Sequence, residues 1–151
     1  MAPLQRRAWW GLGTGITWAV ITTAVLLTGG GVDKFNASSS FRLVMDALYL
    51  AWLVTYAVVM APVLKFGSIK DGKVIVDERD QAIIRQAPLI QLWSVIVLLV
   101  AWTIGLTERY HAAGQIPTTY LYLIFFTTLV VSTLAQSVGI LIGYWRMNKN
   151  A

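Results

Sequence analysis

Four apolar runs, at approximately 8–30, 43–64, 88–107 and 118–145, leave this chain few folds to choose from. Each can cross roughly 30 Å of hydrocarbon as a helix of about 20 residues. The expected fold is an all-α membrane protein, an antiparallel four-helix transmembrane bundle forming a single membrane domain over residues 1–151. Composition agrees. Only 13% of residues are charged and mean hydropathy is +0.65, whereas soluble domains carry about 25% charge. Four spans use up 151 residues and leave no room for a separate soluble enzyme, so no catalytic residues and no enzymatic activity are expected.

The chain has no cysteine, which rules out disulfides, thiolate chemistry, cysteine-held metal centres and cysteine lipidation. No cofactor or metal is expected. The net charge of +5 comes from basic residues at the ends of apolar runs and in one loop. That distribution is topogenic and matches no nucleic-acid track. The first run follows Arg6 and Arg7 but is too long for a signal-peptide core of about 7 to 15 residues, so it reads as a retained span.

Basic residues also set the orientation. Arg6, Arg7, Lys65, Lys70, Lys73, Arg79, Arg85, Arg146 and Lys149 fall at the termini and in the loop between spans two and three. Only Lys34, Arg42 and Arg109 fall in the other two loops. The positive-inside bias therefore puts both termini and the central loop in the cytoplasm of a prokaryotic cell, with the protein multi-pass in its inner membrane. The surrounding lipid bilayer is its first partner.

The central loop, residues 65–87, is a charged island. Ser68 to Val76 reads as two short extended pieces about an Asp71-Gly72 turn, which tolerates the positive φ of a tight hairpin. Asp77 and Asp80 resemble a capping box, opening a helix at the Val76/Asp77 boundary that runs on into span three with a bend near Pro88. Asp77, Glu78, Arg79, Asp80 and Arg85 are the candidate residues for docking a protein partner. The first loop has glycines suited to ending a helix, then Ser39 or Ser40 as N-cap of the next. Its Asn36-Ala37-Ser38 sequon is read as a plain turn. The ten-residue loop around His111 makes spans three and four a tight antiparallel hairpin.

Small and polar residues mark the faces along which helices approach in lipid. Span three has such a seam at Ala87, Gln91, Ser94, Leu98, Ala101 and Gly105, and extending it backward brings in Ile83 and Asp80. Span four has Phe125, Thr128, Ser132, Ala135, Gly139 and Ile142, with Gln136 and Gly143 beside them. Span one has Gly11, Gly15, Trp18, Thr22, Val25 and Gly29, and span two Asp46, Tyr49, Leu53, Tyr56 and Met60. Asp80 should project to the bundle's cytoplasmic mouth and pair with Arg7, Lys65 or Arg146.

Asp46 is the only carboxylate within an apolar run, which makes it a candidate for a proton or cation pathway. A structural role competes, because it lies about one turn inside span two, near a helix N-terminus, with Arg42 four residues earlier. Gln91, Ser94, Ser132 and Gln136 could line a small polar cavity or simply hydrogen-bond between helices. The DERD cluster could attract a divalent cation, but Arg79 in its midst favours helix capping and a docking surface.

Val76-Asp77-Glu78-Arg79-Asp80, followed by Ile83 or Ile84, Ala87 and a span, resembles the DER(D/E)xxIxxxA signature of small uncharacterised prokaryotic four-span membrane proteins. The last span, running from Gln136 to Tyr144-Trp145-Arg146, is similar to theirs. Gln86 and Pro88 depart from the basic and non-proline residues common there. The resemblance implies a fold and a location, and partnership with small helix-turn-helix regulators in some members. The expectation is an accessory or regulatory subunit that binds a partner through its cytoplasmic loop or along the bundle. The alternatives are a small ion-coupled transporter using Asp46 and an integral subunit of a larger energy-transducing complex.

Overall fold

The computed structural model describes residues 2–64 and 78–149, apart from the side chains of Asp33, 61–64 and 78–79. The described residues are helical with no strand: α1 Pro3–Thr28, α2 Gly31–Ala37, α3 Ser39–Leu64, α4 Glu78–Tyr110 and α5 Thr119–Lys149. Four of these, α1, α3, α4 and α5, are long and apolar enough to cross a membrane, and they pack together. In lipid a backbone must satisfy its own hydrogen bonds, which is why each apolar run is a single unbroken helix. The helices outrun the apolar runs, most of all at the start of α4. The Asp71-Gly72 hairpin and Asp77 lie outside the described residues, but α4 is already helical at Glu78 and continues through Pro88. Residues 78–87 are therefore the first turns of α4, the helical run into the third span that the capping-box reading expected.

The N-terminus of α1, the C-terminus of α3, the N-terminus of α4 and the C-terminus of α5 share one end, here the terminal end. There Leu4, Ala8, Met60, Ile83, Ala87 and Ile140 form a buried cluster. The opposite end is closed by α2, a short helix that the sequence reading took for a plain turn. Gly30 (φ 109°) and Gly31 (φ 67°) adopt left-handed backbone that lets the chain leave α1 and turn straight into α2. Phe35 of α2 is buried against Phe41 and, at 4.5 Å between ring centroids, Tyr122. Asn36 Oδ1 accepts a hydrogen bond from the buried Thr119 hydroxyl at 2.6 Å, tying α2 to the start of α5. The cap of α3 is Ser38, one residue before the expected pair: its backbone is extended, and its Oγ accepts from the Phe41 amide at 3.3 Å.

Within the bundle α1 packs on α3 and α5, while α4 leans on α5 alone to any extent. The α1 face is the one its glycines mark. A Cβ on Gly11 would run into Met60 Cε and meet Ser137 Oγ at 2.8 Å, and one on Gly15 would meet Leu134 at 3.1 Å. The α3 face is rotated from expectation. Its buried residues are Met45, Tyr49, Trp52 and Met60, while Asp46 is half-buried and Leu53 exposed at the edge. Trp52 and Met45 are the larger fillers, and Trp52 stacks edge-on against Phe126 of α5.

Candidate functional site

Polar side chains collect at three depths. At the terminal end, Asp80 is half-buried and accepts a hydrogen bond from the Tyr144 hydroxyl. This phenol is a partner the charge-based reading did not consider. Three residues on, Ile83 is buried, and Ala87 lies one turn beyond it against Gly139. Gln81, Arg85 and Gln86 face outward from the same turns. Among the expected docking residues, Asp77 and the side chains of Glu78 and Arg79 lie outside the described residues.

At mid-depth the polar groups bond across helices. Gln91 Nε2 donates to Ser132 Oγ at 2.6 Å, joining α4 to α5. Tyr56 of α3 donates to Gln136 Oε1 at 2.8 Å, with the Thr133 carbonyl oxygen a second acceptor at 3.1 Å. Ser94 bonds back to the Ile90 carbonyl in its own helix. Gln91 and Ser132 thus bond to each other, Gln136 accepts from Tyr56, and Ser94 bonds within α4. They form separate interhelical or intrahelical bonds, the arrangement polar side chains adopt when lipid offers them no water.

Toward the α2 end, Asp46 lines a groove of about 510 Å³ with Tyr49, Leu50, Leu53, Leu121, Tyr122 and Phe125. Arg42, its expected i−4 neighbour, turns away and donates through Nη1 to the carbonyls of Phe35 and Asn36, at 3.1 and 2.9 Å. Those are two of the last carbonyls of α2, which carry partial negative charge and need donors. Asp46 lies seven residues into α3, about 10 Å along its axis. A second groove, of about 440 Å³, opens between α4 and α5 at the same end, lined in part by Ala101, Gly105, Trp102 and Tyr120. Ala101 and Gly105 were expected on the packed seam and are exposed instead, because Trp102 and Tyr120 hold the two helices apart there.

No group of three or more His, Cys, Asp or Glu side chains able to hold a metal ion occurs among the described residues. His111 is exposed. Neither a protein-family model, a curated protein nor a solved structure matches the chain.

Proposed function

We propose that this integral four-span membrane protein is a non-enzymatic accessory or regulatory subunit that engages a protein partner through the segment joining its second and third spans. The observation that carries the reading is the start of α4. The helix begins ten residues before Pro88 and is pinned to the bundle by Ile83, Ala87 and the Asp80 to Tyr144 bond. Arg85 and Gln81 are thereby presented on a fixed helical face, and a partner meets a surface whose ordering cost has already been met. In the sequence, nine of the twelve Lys and Arg residues fall near the termini or between the second and third spans. This supports a cytoplasmic location in a prokaryotic inner membrane, where small helix-turn-helix regulators of the kind implied by the Asp77 to Ala87 motif would be found. The partner is read as protein, not nucleic acid.

Extraction in mild detergent tests this. Wild-type chain should retain a stoichiometric protein partner, and Arg85→Glu should lose it while keeping its thermal stability, since Arg85 is exposed. A chain that purifies alone from its native membrane contradicts the proposal.

Two other readings each rest on one observation. Asp46, with no hydrogen bond or ion pair among the described residues, supports a small ion-coupled carrier. Loss of a transport phenotype in Asp46→Asn would favour it. The outer surface of α4, with Leu89, Leu92, Trp93, Val97, Val100 and Ile104 exposed, supports packing against further helices in a larger energy-transducing complex.

A further inference from the structure

We infer that the groove beside Asp46 is a binding site for a lipophilic organic cation. The first argument is charge. Three basic side chains belong to this end of the bundle, and each is committed elsewhere. Arg42 is bonded to the Phe35 and Asn36 carbonyls, the Lys34 ammonium sits 5.9 Å from the centroid of the Phe41 ring, and the Arg109 guanidinium sits 5.9 Å from that of Tyr110. None of them lines the groove. The Asp46 carboxylate is therefore half-buried in an apolar span without a counter-ion from the described residues. A carboxylate within an apolar span is usually matched by a cationic partner.

The second argument is what else lines the space. Leu50, Leu53 and Leu121 supply hydrocarbon walls, and Tyr49, Tyr122 and Phe125 supply aromatic rings. Tyr49 and Phe125 meet edge to face at 5.5 Å between centroids, which fixes both rings. Aromatic rings attract organic cations through their π faces, and a carboxylate adds the formal charge. A volume of about 510 Å³ matches a small organic molecule.

A hard metal ion is a poor match, because it needs six or more oxygen ligands and the groove offers one carboxylate and two phenols. A zwitterionic lipid headgroup is also a poor match, because its phosphate would bring a second anion toward Asp46. The occupant the lining fits is a simple monocation with an apolar body, entering from the bilayer. This inference needs no docked protein, so it stands or falls separately from the accessory-subunit proposal.

The test uses the full chain purified alone in phosphatidylglycerol nanodiscs, with tetraphenylphosphonium as probe. Saturable binding should be seen by calorimetry, and Asp46→Asn should weaken it by about tenfold or more, the equivalent of about 1.4 kcal/mol. Asp46→Glu should restore most of the affinity. Leu50→Trp, at an exposed position, should block the groove while leaving the carboxylate and thermal stability intact. The neutral analogue triphenylphosphine oxide should not compete. Equal binding by wild type and Asp46→Asn overturns the inference. So does the absence of saturable binding, the outcome expected if a second copy of the chain fills the groove. Displacement of the probe by added phosphatidylethanolamine would assign the site to a lipid amine and overturn the free cation as occupant.

Discussion

The two halves of the α4–α5 interface are built differently. At the terminal end the backbones come close. A Cβ on Gly139 would lie 3.3 Å from Ala87 Cα, and one on Gly143 would lie 2.9 Å from Ile83 Cγ1. At the α2 end nothing lies within 4 Å of a Cβ placed on Gly105, and the helices meet through long side chains. There Trp102 Nε1 donates to Thr127 Oγ1 at 2.8 Å, and the Tyr110 hydroxyl bonds to that of Tyr120 at 2.8 Å. Close packing of small residues gives many dispersion contacts and a rigid seam. Bridging by aromatic tips leaves a groove between the helices. The same helix pair is thus anchored at the terminal end, where Arg85 is exposed, and open at the α2 end. Among the described side chains of α4, Ile83, Ala87 and Leu106 are buried, and two of these three lie in the terminal anchor.

The contrast gives an order of expected effects. Ile83→Ala removes a buried side chain from the anchor and should cost about 2 kcal/mol or more, seen as a lower detergent melting temperature. Leu98→Ala, at the open groove, should cost well under half of that. Tyr144→Phe deletes the hydroxyl that Asp80 accepts from. About 1 to 2 kcal/mol should be lost, because the acceptor is a carboxylate, and Asp80→Asn should lose less, since its amide oxygen still accepts. Gln91 and Ser132 stand between the two halves. A double-mutant cycle with Gln91→Met and Ser132→Ala should return a coupling of about 0.6 kcal/mol, the usual size for such a bond in lipid. Trp102→Phe and Tyr120→Phe should be the mildest, at about 0.5 kcal/mol or less each. A larger loss there than at Ile83 would reverse the comparison.

These differences also explain which features the sequence made visible. Gly11 and Gly15 marked the buried face of α1 because they lie one turn apart on one face, where small residues let helices approach closely. Ala87 and Gly139 were legible on the same grounds, but Ala101 and Gly105 carry the same signal without the contact. Smallness permits approach, and the neighbours decide whether it happens. Here Trp102 and Tyr120, one helix apart, prevent it. On α3 the stripe through Asp46 and Leu53 was rotated toward the groove, because an apolar span has no polar face to fix its phase and bulky Met45 and Trp52 set it instead. The short α2 is too brief to show a period, and its start depends on the left-handed backbone of Gly30 and Gly31. Asp80 accepts a hydrogen bond from a phenol reaching along α5, a kind of partner that charge counting does not see. The same holds for Arg42, whose pull toward the carbonyls of α2 could not be anticipated while α2 itself was unread.

The asymmetry of the α4–α5 contact is tested most directly by putting the same bulk into both halves and measuring thermal unfolding in one detergent. Gly139→Leu should overpack the anchor against Ala87 and Ile90 and cost about 1 to 3 kcal/mol. Gly105→Leu, at an open position, should leave the melting temperature within error of wild type. Equal losses from the two substitutions, or a greater loss from Gly105→Leu, would contradict an interface anchored at its terminal end and open at the other.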